Sequence, residues 1–183
     1  MMDEHDDDAA SLEASTEPRT VTVALLAVAS RGGTDDPVSG LLADGCRRLG
    51  HRVIKRLALP PAREAIESQL RAWIAEDSID VILVSGGIGL LPGDVTPEAI
   101  RAVVEREIPG YGEAMRAARS EHVGLRAIHA REVAGVAAST FVLAVSAERE
   151  AFAQTWDAVL EPLLHPSSEA SLVPLLARLA TPG

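Results

Sequence analysis

The chain is poor in cysteine and lysine, and it shows neither a long apolar run nor a secretory leader pattern. Cys46 is the only cysteine among the 183 residues, so no disulfide can form within the chain. The longest apolar runs, such as residues 21–29, are far shorter than the roughly 20 residues that a helix needs to cross a bilayer. Residues 1–18 are acidic and polar, whereas a secretory signal is basic and then apolar. These absences predict a cytoplasmic protein with no membrane span.

The histidines lack the spacing of a metal site. The five histidines do not occur at the separations that zinc ligands use, and the single cysteine adds no second ligand. We therefore expect no structural metal. His129 falls in a segment with strand character, and because no partner acid can be identified, a core or surface histidine is the simpler interpretation.

Negative charge is concentrated at the start of the chain. The net charge is -10, and seven of the 27 acidic residues precede Arg19, which leaves 20 acids against 17 bases, a net of -3, in the rest. This balance argues against nucleic acid as a partner, because phosphate backbones require clustered cations. Residues 1–18 have too few large apolar side chains to offset their ordering entropy, so we predict a disordered tail. Lys55 is the only lysine, which fits either a salt-adapted host or a GC-rich genome.

Strand and helix patterns alternate from residue 21 onward. Continuous apolar runs predict buried strands, and apolar residues at helical spacing predict amphipathic helices between them. Helices of this length between strands imply right-handed crossovers and a mostly parallel sheet that is covered on both faces. The sequence therefore predicts a three-layer α/β/α domain. The predicted strands are 21–29, 51–59 and 80–85, and the helices between them are 38–50 and 61–76.

The second half of the chain continues this pattern less regularly. A helix is predicted to begin with Thr96 as its N-cap and Pro97 at its first position. Residues 166–183 are set apart as a C-terminal extension, either a short helix or a loose tail, so the domain is predicted to span residues 19–165. The remaining predicted elements are helices 96–107, 108–122 and 148–165 and short strands 126–131 and 140–145.

The stretch SGGIGLLPGDVTPEAI, residues 85–100, is the segment most typical of a ligand site. It joins a predicted strand to a predicted helix, and ligands of open α/β sheets bind beyond the carboxyl ends of the strands. Gly86, Gly87 and Gly89 permit positive φ and close approach, so successive N–H groups can surround a phosphate beside the helix N-terminus. A tight connection in which the glycines only permit the turn explains the same spacing. The loop has neither the Walker nor the Rossmann pattern.

Charged residues near this loop have two interpretations each. Asp94 could hold Mg²⁺ that bridges a bound phosphate, or it could form an Asx-type turn or contact the helix N-terminus. Arg116, Arg119, Arg126 and Arg131 could present cations to a ligand, although solvation on a helix surface explains the first pair equally well.

Two motifs, the loop SGGIGLLPGDVTPE and the later IPGYGE, occur in an order typical of one family. They resemble the Gly-Gly-Thr-Gly, Asp-Val-Thr-Pro-Glu and Pro-Gly-Phe-Gly-Glu motifs of the MoaB/Mog family of molybdopterin-binding proteins, over residues 21–164. The resemblance implies a Mog-type fold and a homotrimer or dimer of trimers, with residues 108–115 near the subunit contacts. It also implies a site for molybdopterin and, in catalytic members, adenylylation of the pterin phosphate with ATP and Mg²⁺.

The resemblance also assigns roles to residues of the loop. It implies that Gly86, Gly87 and Gly89 form a phosphate cradle, with Ser85 at its entrance. It implies that Asp94 is the catalytic acid tied to Mg²⁺ and nucleotide chemistry.

Three further positions match the family outside the loop. Glu113 falls where the family has a pocket glutamate, and Ser39 and Gly40 match the family's Ser-Gly pair at the first helix. Leu41 departs from the pattern, because an aspartate usually follows that pair.

Other departures remove groups that bind anions or do chemistry. Ile88 replaces a threonine, Gly93 replaces a common arginine, and residues 61–62 replace a second acid. Residues 145–149, Val-Ser-Ala-Glu-Arg, stand in place of a Leu-Pro-Gly loop, and residues 129–131 replace Leu-Ser-Arg with His-Ala-Arg. Two hypotheses follow, an active adenylyltransferase and a non-catalytic binding or assembly protein that keeps the fold.

Overall fold

Six strands form one mixed sheet within residues 19–29 and 37–180, the part of the chain that the computed structural model describes. Their order across the sheet is β2-β1-β3-β6-β5-β4. The first four run parallel, whereas β5 is antiparallel to both β6 and β4. The predicted mostly parallel sheet is confirmed, and the tail predicted for residues 1–18 lies outside the described residues. The strands are β1 (Thr22–Val28), β2 (Arg52–Leu59), β3 (Val81–Ser85), β4 (Arg106–Glu107), β5 (Ala134–Ala137) and β6 (Thr140–Val145).

Helices cover both faces of this sheet. One apolar cluster joins α1, α4, α5, α6 and α7 to one face, and a second joins α2 and α3 to the other. A 3₁₀ turn, Gly124–His129, follows α4, and a π-helical turn, Trp156–Leu160, joins α5 to α6. The predicted three-layer α/β/α architecture is therefore confirmed. The helices are α1 (Pro37–Arg48), α2 (Arg63–Ile74), α3 (Thr96–Arg101), α4 (Pro109–Val123), α5 (Arg149–Thr155), α6 (Glu161–Leu164) and α7 (Val173–Leu179).

Strand β1 shows why the apolar runs are continuous rather than alternating. Val23 and Leu25 pack in the first cluster, whereas Ala24 and Leu26 pack in the second. Successive side chains of a strand point to opposite faces, and both faces of this sheet are covered by helices. Every position of the strand centre therefore requires an apolar side chain.

Two predictions in the second half of the chain are wrong. The predicted strand 126–131 is mostly the 3₁₀ turn, whose Leu125 and Ile128 are 85% and 64% exposed. The strand lies later, at β5. A Cβ at Gly135 of this strand would lie 2.7 Å from Val104, so a larger residue does not fit there. The predicted helix 96–107 ends at Arg101, and its last two residues form β4.

The C-terminal segment packs on the domain. Val173 and Leu176 of α7 are buried in the first cluster, so a short helix rather than a loose tail is present after residue 165. Cys46 lies in the same cluster, where burial raises the pKa of its thiol to about 12. No helix in the described part of the chain is long and apolar enough to cross a membrane.

Candidate functional site

A cleft of about 460 Å³ opens beyond the carboxyl ends of the neighbouring strands β3 and β6. Residues 86–91 and Asp94, in the loop between β3 and α3, form one wall. Arg119 and residues 129–130 and 146–148 line the rest of the cleft. The structure thus places the glycine loop where parallel α/β sheets bind ligands.

Thr96 fixes the first half of the loop. Its hydroxyl donates a hydrogen bond to the carbonyl of Gly86 at 2.7 Å, and its amide donates to the carbonyl of Gly87 at 3.0 Å. The prediction that Thr96 is the N-cap of α3 is wrong, because Val95 holds that position without a side-chain bond. The hydroxyl of Thr96 is used to hold the loop instead.

Arg131 fixes the second half of the loop. Its amide donates to the carbonyl of Ile88 at 2.8 Å, and its Nε donates to the carbonyl of Gly89 at 2.7 Å. Its two remaining nitrogens bind the carbonyl of Asp94 and the carboxylate of Glu98. Burial acts to raise the pKa of Glu98, but hydrogen bonds from Arg131 and from the backbone outweigh burial and hold the pKa below its ordinary value. Arg131 is therefore a positioning residue.

The bonds of Thr96 and Arg131 determine where the loop amides point. In a trans peptide the N–H is opposite the C=O, and no cis peptide occurs among the described residues. The amides of residues 87–90 therefore face away from Thr96 and Arg131. Neither Thr96 nor Arg131 is among the described residues that line the cleft. None of the four amides finds an acceptor within the described ranges. We call these four donors on the cleft wall the amide cradle.

The glycines are required for this geometry. Gly86 and Gly87 have φ values of 88° and 65°. A Cβ at Gly87 would lie 2.5 Å from the Thr96 hydroxyl, and one at Gly89 would lie 2.6 Å from the Asp94 carboxylate. The glycines therefore both permit the turn and allow the close contacts that shape the amide cradle.

Ile88 and Gly93, the two loop positions that depart from the family pattern, differ in what surrounds them. The side chain of Ile88 is 6% exposed and belongs to the second apolar cluster, so this residue contributes its amide to the cleft and its side chain to the core. Among the described residues, a Cβ added at Gly93 would meet only Pro61, at 3.9 Å. The two departures at residues 61 and 93 are thus neighbours in space.

Asp94 makes a local turn contact and also lines the cleft, while its role toward Mg²⁺ stays a prediction. Its Oδ2 accepts the amide of Leu91 at 2.8 Å, which is a local turn contact, and the residue also lines the cleft. Its Oδ1 has no hydrogen bond within the part of the chain that is described. No group of three or more His, Cys, Asp or Glu that could hold a metal occurs there either. A single carboxylate fits Mg²⁺ only where a bound phosphate supplies further oxygens, as is usual for this ion.

The rest of the cleft lining includes charged side chains that the sequence left undecided or did not single out. Arg119 is 9% exposed and contacts Glu132, which is 3% exposed, through a single 3.3 Å Nη1–Oε1 bond. Glu148 lies 3.9 Å from the other terminal nitrogen of Arg119. His129 is an exposed residue of the same part of the lining. The pair of Arg119 and Glu132 has no local sequence signal, because it joins a helix to the segment before β5.

Four other predicted site residues lie outside the cleft wall formed by the described residues. Ser85 is buried at the end of β3, directly before the loop. Glu113 is exposed on α4. Ser39 accepts a hydrogen bond from Arg56 at 3.0 Å, and Gly40 follows it on α1. Their roles in ligand binding stay predictions from the family resemblance.

Comparison with known proteins identifies the family. A domain family described as a probable molybdopterin-binding domain matches residues 19–166. The chain belongs to this family. Molybdenum cofactor biosynthesis protein B of Escherichia coli K12 is 37% identical over 153 residues, which cover 83% of this chain and 90% of that protein. The protein of the same name from Staphylococcus carnosus is 36% identical over 104 residues, 56% of this chain and 61% of that protein.

Solved structures of the molybdopterin-binding family share the fold. A molybdopterin biosynthesis enzyme MoaB from Thermus thermophilus is 29% identical, has a TM-score of 0.66 and covers 88% of this chain and 97% of its own. A structure of molybdenum cofactor biosynthesis protein B has a TM-score of 0.78 at 24% identity and covers 89% of this chain and 98% of its own. The resemblance to the MoaB/Mog family and its fold is confirmed.

Proposed function

We propose that the protein acts in molybdenum cofactor biosynthesis by binding molybdopterin, with the phosphate of the pterin on the amide cradle of residues 87–90. The observation that carries this proposal is that four successive amides line one cleft without an acceptor among the described residues. Backbone amides at a loop before a helix are a common phosphate site. The family and the relatives named above support molybdopterin as the ligand.

In this proposal the residues of the chain divide the work of binding. The amide cradle donates hydrogen bonds to the phosphate oxygens, and Thr96 and Arg131 keep the carbonyls turned away from the anion. Because these donors are fixed before the ligand arrives, little ordering entropy is lost on binding. The pterin ring would occupy the rest of the cleft, between the loop and residues 129–130.

One amide of the cradle can be removed without loss of a buried side chain. Leu90 is 64% exposed, so Leu90→Pro removes one N–H while Leu90→Ala is the matched control that keeps it. We expect Leu90→Pro to weaken the binding of molybdopterin by about tenfold, since a hydrogen bond to a charged group contributes roughly 1.5–3 kcal/mol. Calorimetry measures both. Equal affinities of wild type, Leu90→Pro and Leu90→Ala would contradict the proposal.

A second candidate function is adenylylation of the bound phosphate. The observation that favours it is the Oδ1 of Asp94, which lines the cleft without a hydrogen bond to the described residues. In this reaction an oxygen of the pterin phosphate forms a bond to the α-phosphorus of ATP, and pyrophosphate leaves. Mg²⁺, when bound, would neutralise the negative charge of the phosphates.

Asp94→Asn separates the two candidate functions. An amide oxygen at this position can still accept the Leu91 amide, so the turn is retained, but it is a far weaker ligand for a hard cation. We expect wild type to release pyrophosphate from ATP with molybdopterin and Mg²⁺, and Asp94→Asn to lose this activity while binding molybdopterin. Binding of molybdopterin by wild type without release of pyrophosphate would favour the non-catalytic binding protein.

We also propose that the chain forms a homotrimer or a dimer of trimers, as the family resemblance implies. An apolar recess of about 280 Å³ between α4 and α6, lined by Ile108, Tyr111 and Pro162 among others, lies in the segment where we predict subunit contacts. Sedimentation equilibrium at micromolar concentration measures the mass. A mass near 19.3 kDa, that of one chain, would contradict this proposal.

A further inference from the structure

Arg119 is the only lysine or arginine among the described residues that line the cleft. It lies in the third turn of α4 and is 9% exposed, so its guanidinium is largely withdrawn from water. It lines the same cleft as the amide cradle. A desolvated cation in such a position interacts more strongly with an entering anion than an exposed one does.

The pairing of Arg119 within the protein is incomplete. Its Nε is buried and has no hydrogen-bond partner among the described residues, and the Oε2 of Glu132 is equally buried and unpaired. The single Nη1–Oε1 bond of 3.3 Å is long for a charge-assisted bond, and the two-bond arrangement that an arginine and a carboxylate favour is absent from this described pair. A buried ion pair is a weak source of stability even with complete bonding. The terminal nitrogen Nη2, whose contact with Glu148 Oε2 is 3.9 Å and too long for a hydrogen bond, is therefore the donor that is left for a ligand.

Glu148 is the second carboxylate near Arg119 and differs from Glu132 in its exposure. Its Oε2 lies 3.9 Å from Arg119 Nη2, and its side chain is 76% exposed, whereas that of Glu132 is 0% exposed. Glu132 is therefore a fixed counter-charge. Glu148 can move into water when another anion takes its place.

We propose that Arg119 is a specificity-determining residue that binds an anionic oxygen of the ligand in the cleft, and that Glu148 competes with the ligand for it. The cleft would then select a phosphate both by backbone amides and by a guanidinium. Occupation by Glu148 would place a second carboxylate beside Arg119 in the free protein, and an entering anion would have to displace it. This inference rests on the proposed function, because both concern the same cleft.

The first test removes the competing charge. Glu148→Gln is compared with Glu150→Gln, an exposed position on α5 that changes the net charge of the protein equally but lies outside the cleft wall of the described residues. The probe is inorganic phosphate, measured by calorimetry at fixed ionic strength. We expect Glu148→Gln to bind phosphate about threefold or more tightly than wild type, and Glu150→Gln to change affinity by less than about twofold, as screened surface charges do. Equal effects of the two variants would overturn the proposal.

The second test removes Arg119 itself. Because loss of Arg119 alone leaves a buried unpaired carboxylate, the variant is the double substitution Arg119→Gln/Glu132→Gln, with Glu132→Gln alone as its control. We expect the double variant to bind phosphate about tenfold more weakly than the control. Adding Glu148→Gln to the double variant should then have no effect, since the group for which Glu148 competes is gone.

The outcomes separate this inference from the proposed function. If Leu90→Pro weakens phosphate binding but the double variant binds as tightly as its control, Arg119 is not a ligand and the amide cradle still is. If wild type does not bind phosphate at all, both proposals are wrong. If the double variant does not fold, the comparison of Glu148→Gln with Glu150→Gln still tests whether Glu148 opposes the binding of an anion in the cleft.

Discussion

Residues 87–90 line the cleft with main-chain amides that have no acceptor among the described residues, whereas Arg119 and Glu148 line it with charged side chains. We call the first group the amide wall and the second group the side-chain wall. The amide wall contains no formal positive charge, and its geometry depends on glycines and on bonds from Thr96 and Arg131. The side-chain wall contains charges of both signs that are poorly paired. The two walls therefore respond to substitution in different ways.

This difference shows which part of the site can change by substitution without loss of phosphate binding. Donors on the main chain are retained whatever side chain occupies the position, so Ile88 and Leu90 can vary while their amides stay in place. Donors on side chains change with each substitution, and so does the competition among them. Recognition of a phosphate can thus be conserved by the amide wall while affinity and selectivity are changed on the other wall.

The largest effect should come from breaking the amide wall at a glycine. We expect Gly87→Ala to lower the free energy of unfolding by about 2–4 kcal/mol, because a non-glycine residue is strained at this φ and its Cβ would overlap the Thr96 hydroxyl. Gly93→Ala is the matched control and should change stability by less than about 0.5 kcal/mol. Among the described residues only Pro61 lies near the added Cβ. Urea unfolding measures both. Equal effects would show that the loop is not tightly held.

A smaller effect should follow from loosening the amide wall at Arg131. Arg131→Gln removes the side-chain bonds to the carbonyls of Gly89 and Asp94. We expect a loss of stability of about 1–3 kcal/mol and weaker phosphate binding, because the peptide units that present the amides become mobile. Arg126→Gln, at an exposed position, should leave both unchanged. Unchanged phosphate affinity in Arg131→Gln would mean that Arg131 does not position the amide cradle.

Variants of the two walls can be compared only at a pH at which the protein is stably folded. His51, which is not among the described residues that line the cleft, should set the acid limit of this range. Its Nε2 donates to the carbonyl of Leu164 at 2.8 Å, and its Nδ1 accepts the amide of Val21 at 3.4 Å, so the neutral ring is required. Burial lowers the pKa of His51 below its ordinary 6.5. A lowered native pKa means that stability is fully present above pH 6.5 and is lost as the pH falls towards the native pKa.

His51→Gln should lack this decline of stability below pH 6.5, although its stability at neutral pH is lower. His122→Gln, at an exposed position on α4, should retain the decline. Urea unfolding of the three proteins from about pH 5 to pH 8 measures the effect. The same slope in wild type and His51→Gln would assign the acid sensitivity to another group.

Labelling of Cys46, which is buried in the first apolar cluster, should report opening of the core. Because the thiolate is the reactive form and burial raises the pKa of this thiol to about 12, we expect very slow labelling by a disulfide reagent at about pH 8. Substitutions of the side-chain wall, such as Glu148→Gln, should leave the labelling rate unchanged. Gly87→Ala should increase it, because the amide wall is part of the folded core. An equal rate in the two variants would contradict this difference between the walls.

The sequence predicted the amide wall better than the side-chain wall for a physical reason. The glycines, Asp94 and the helix after them are close in sequence, so their spacing limits the loop to two interpretations, a phosphate loop or a tight turn. The contact that holds this loop, from Arg131 to Gly89, crosses 42 residues, and no local pattern indicates it. A helical pattern does not show that the side chain of Arg119 is buried against Glu132. The sequence therefore explains Arg119 equally well as a solvated helix residue.

The fold followed from the sequence except where periodicity was misleading. A strand was predicted over residues 126–131, yet Leu125 and Ile128 are exposed apolar side chains of a 3₁₀ turn. The true strand, β5, consists of small residues that carry little strand signal, and Val104 packs at Gly135 where a larger side chain would not fit. Close packing of the chain decides these positions, and it is not visible in local sequence.

The central claim, that the amides of residues 87–90 bind the phosphate of molybdopterin, is tested most directly by following those amides. The measurement is a titration of ¹⁵N-labelled protein with molybdopterin, observed by amide proton and nitrogen shifts. The account predicts that the four amide protons of the cradle move downfield together with one dissociation constant, as expected for N–H groups that gain a charged acceptor. If these four resonances stay in place while other resonances of the protein shift, the phosphate binds elsewhere and the account is wrong.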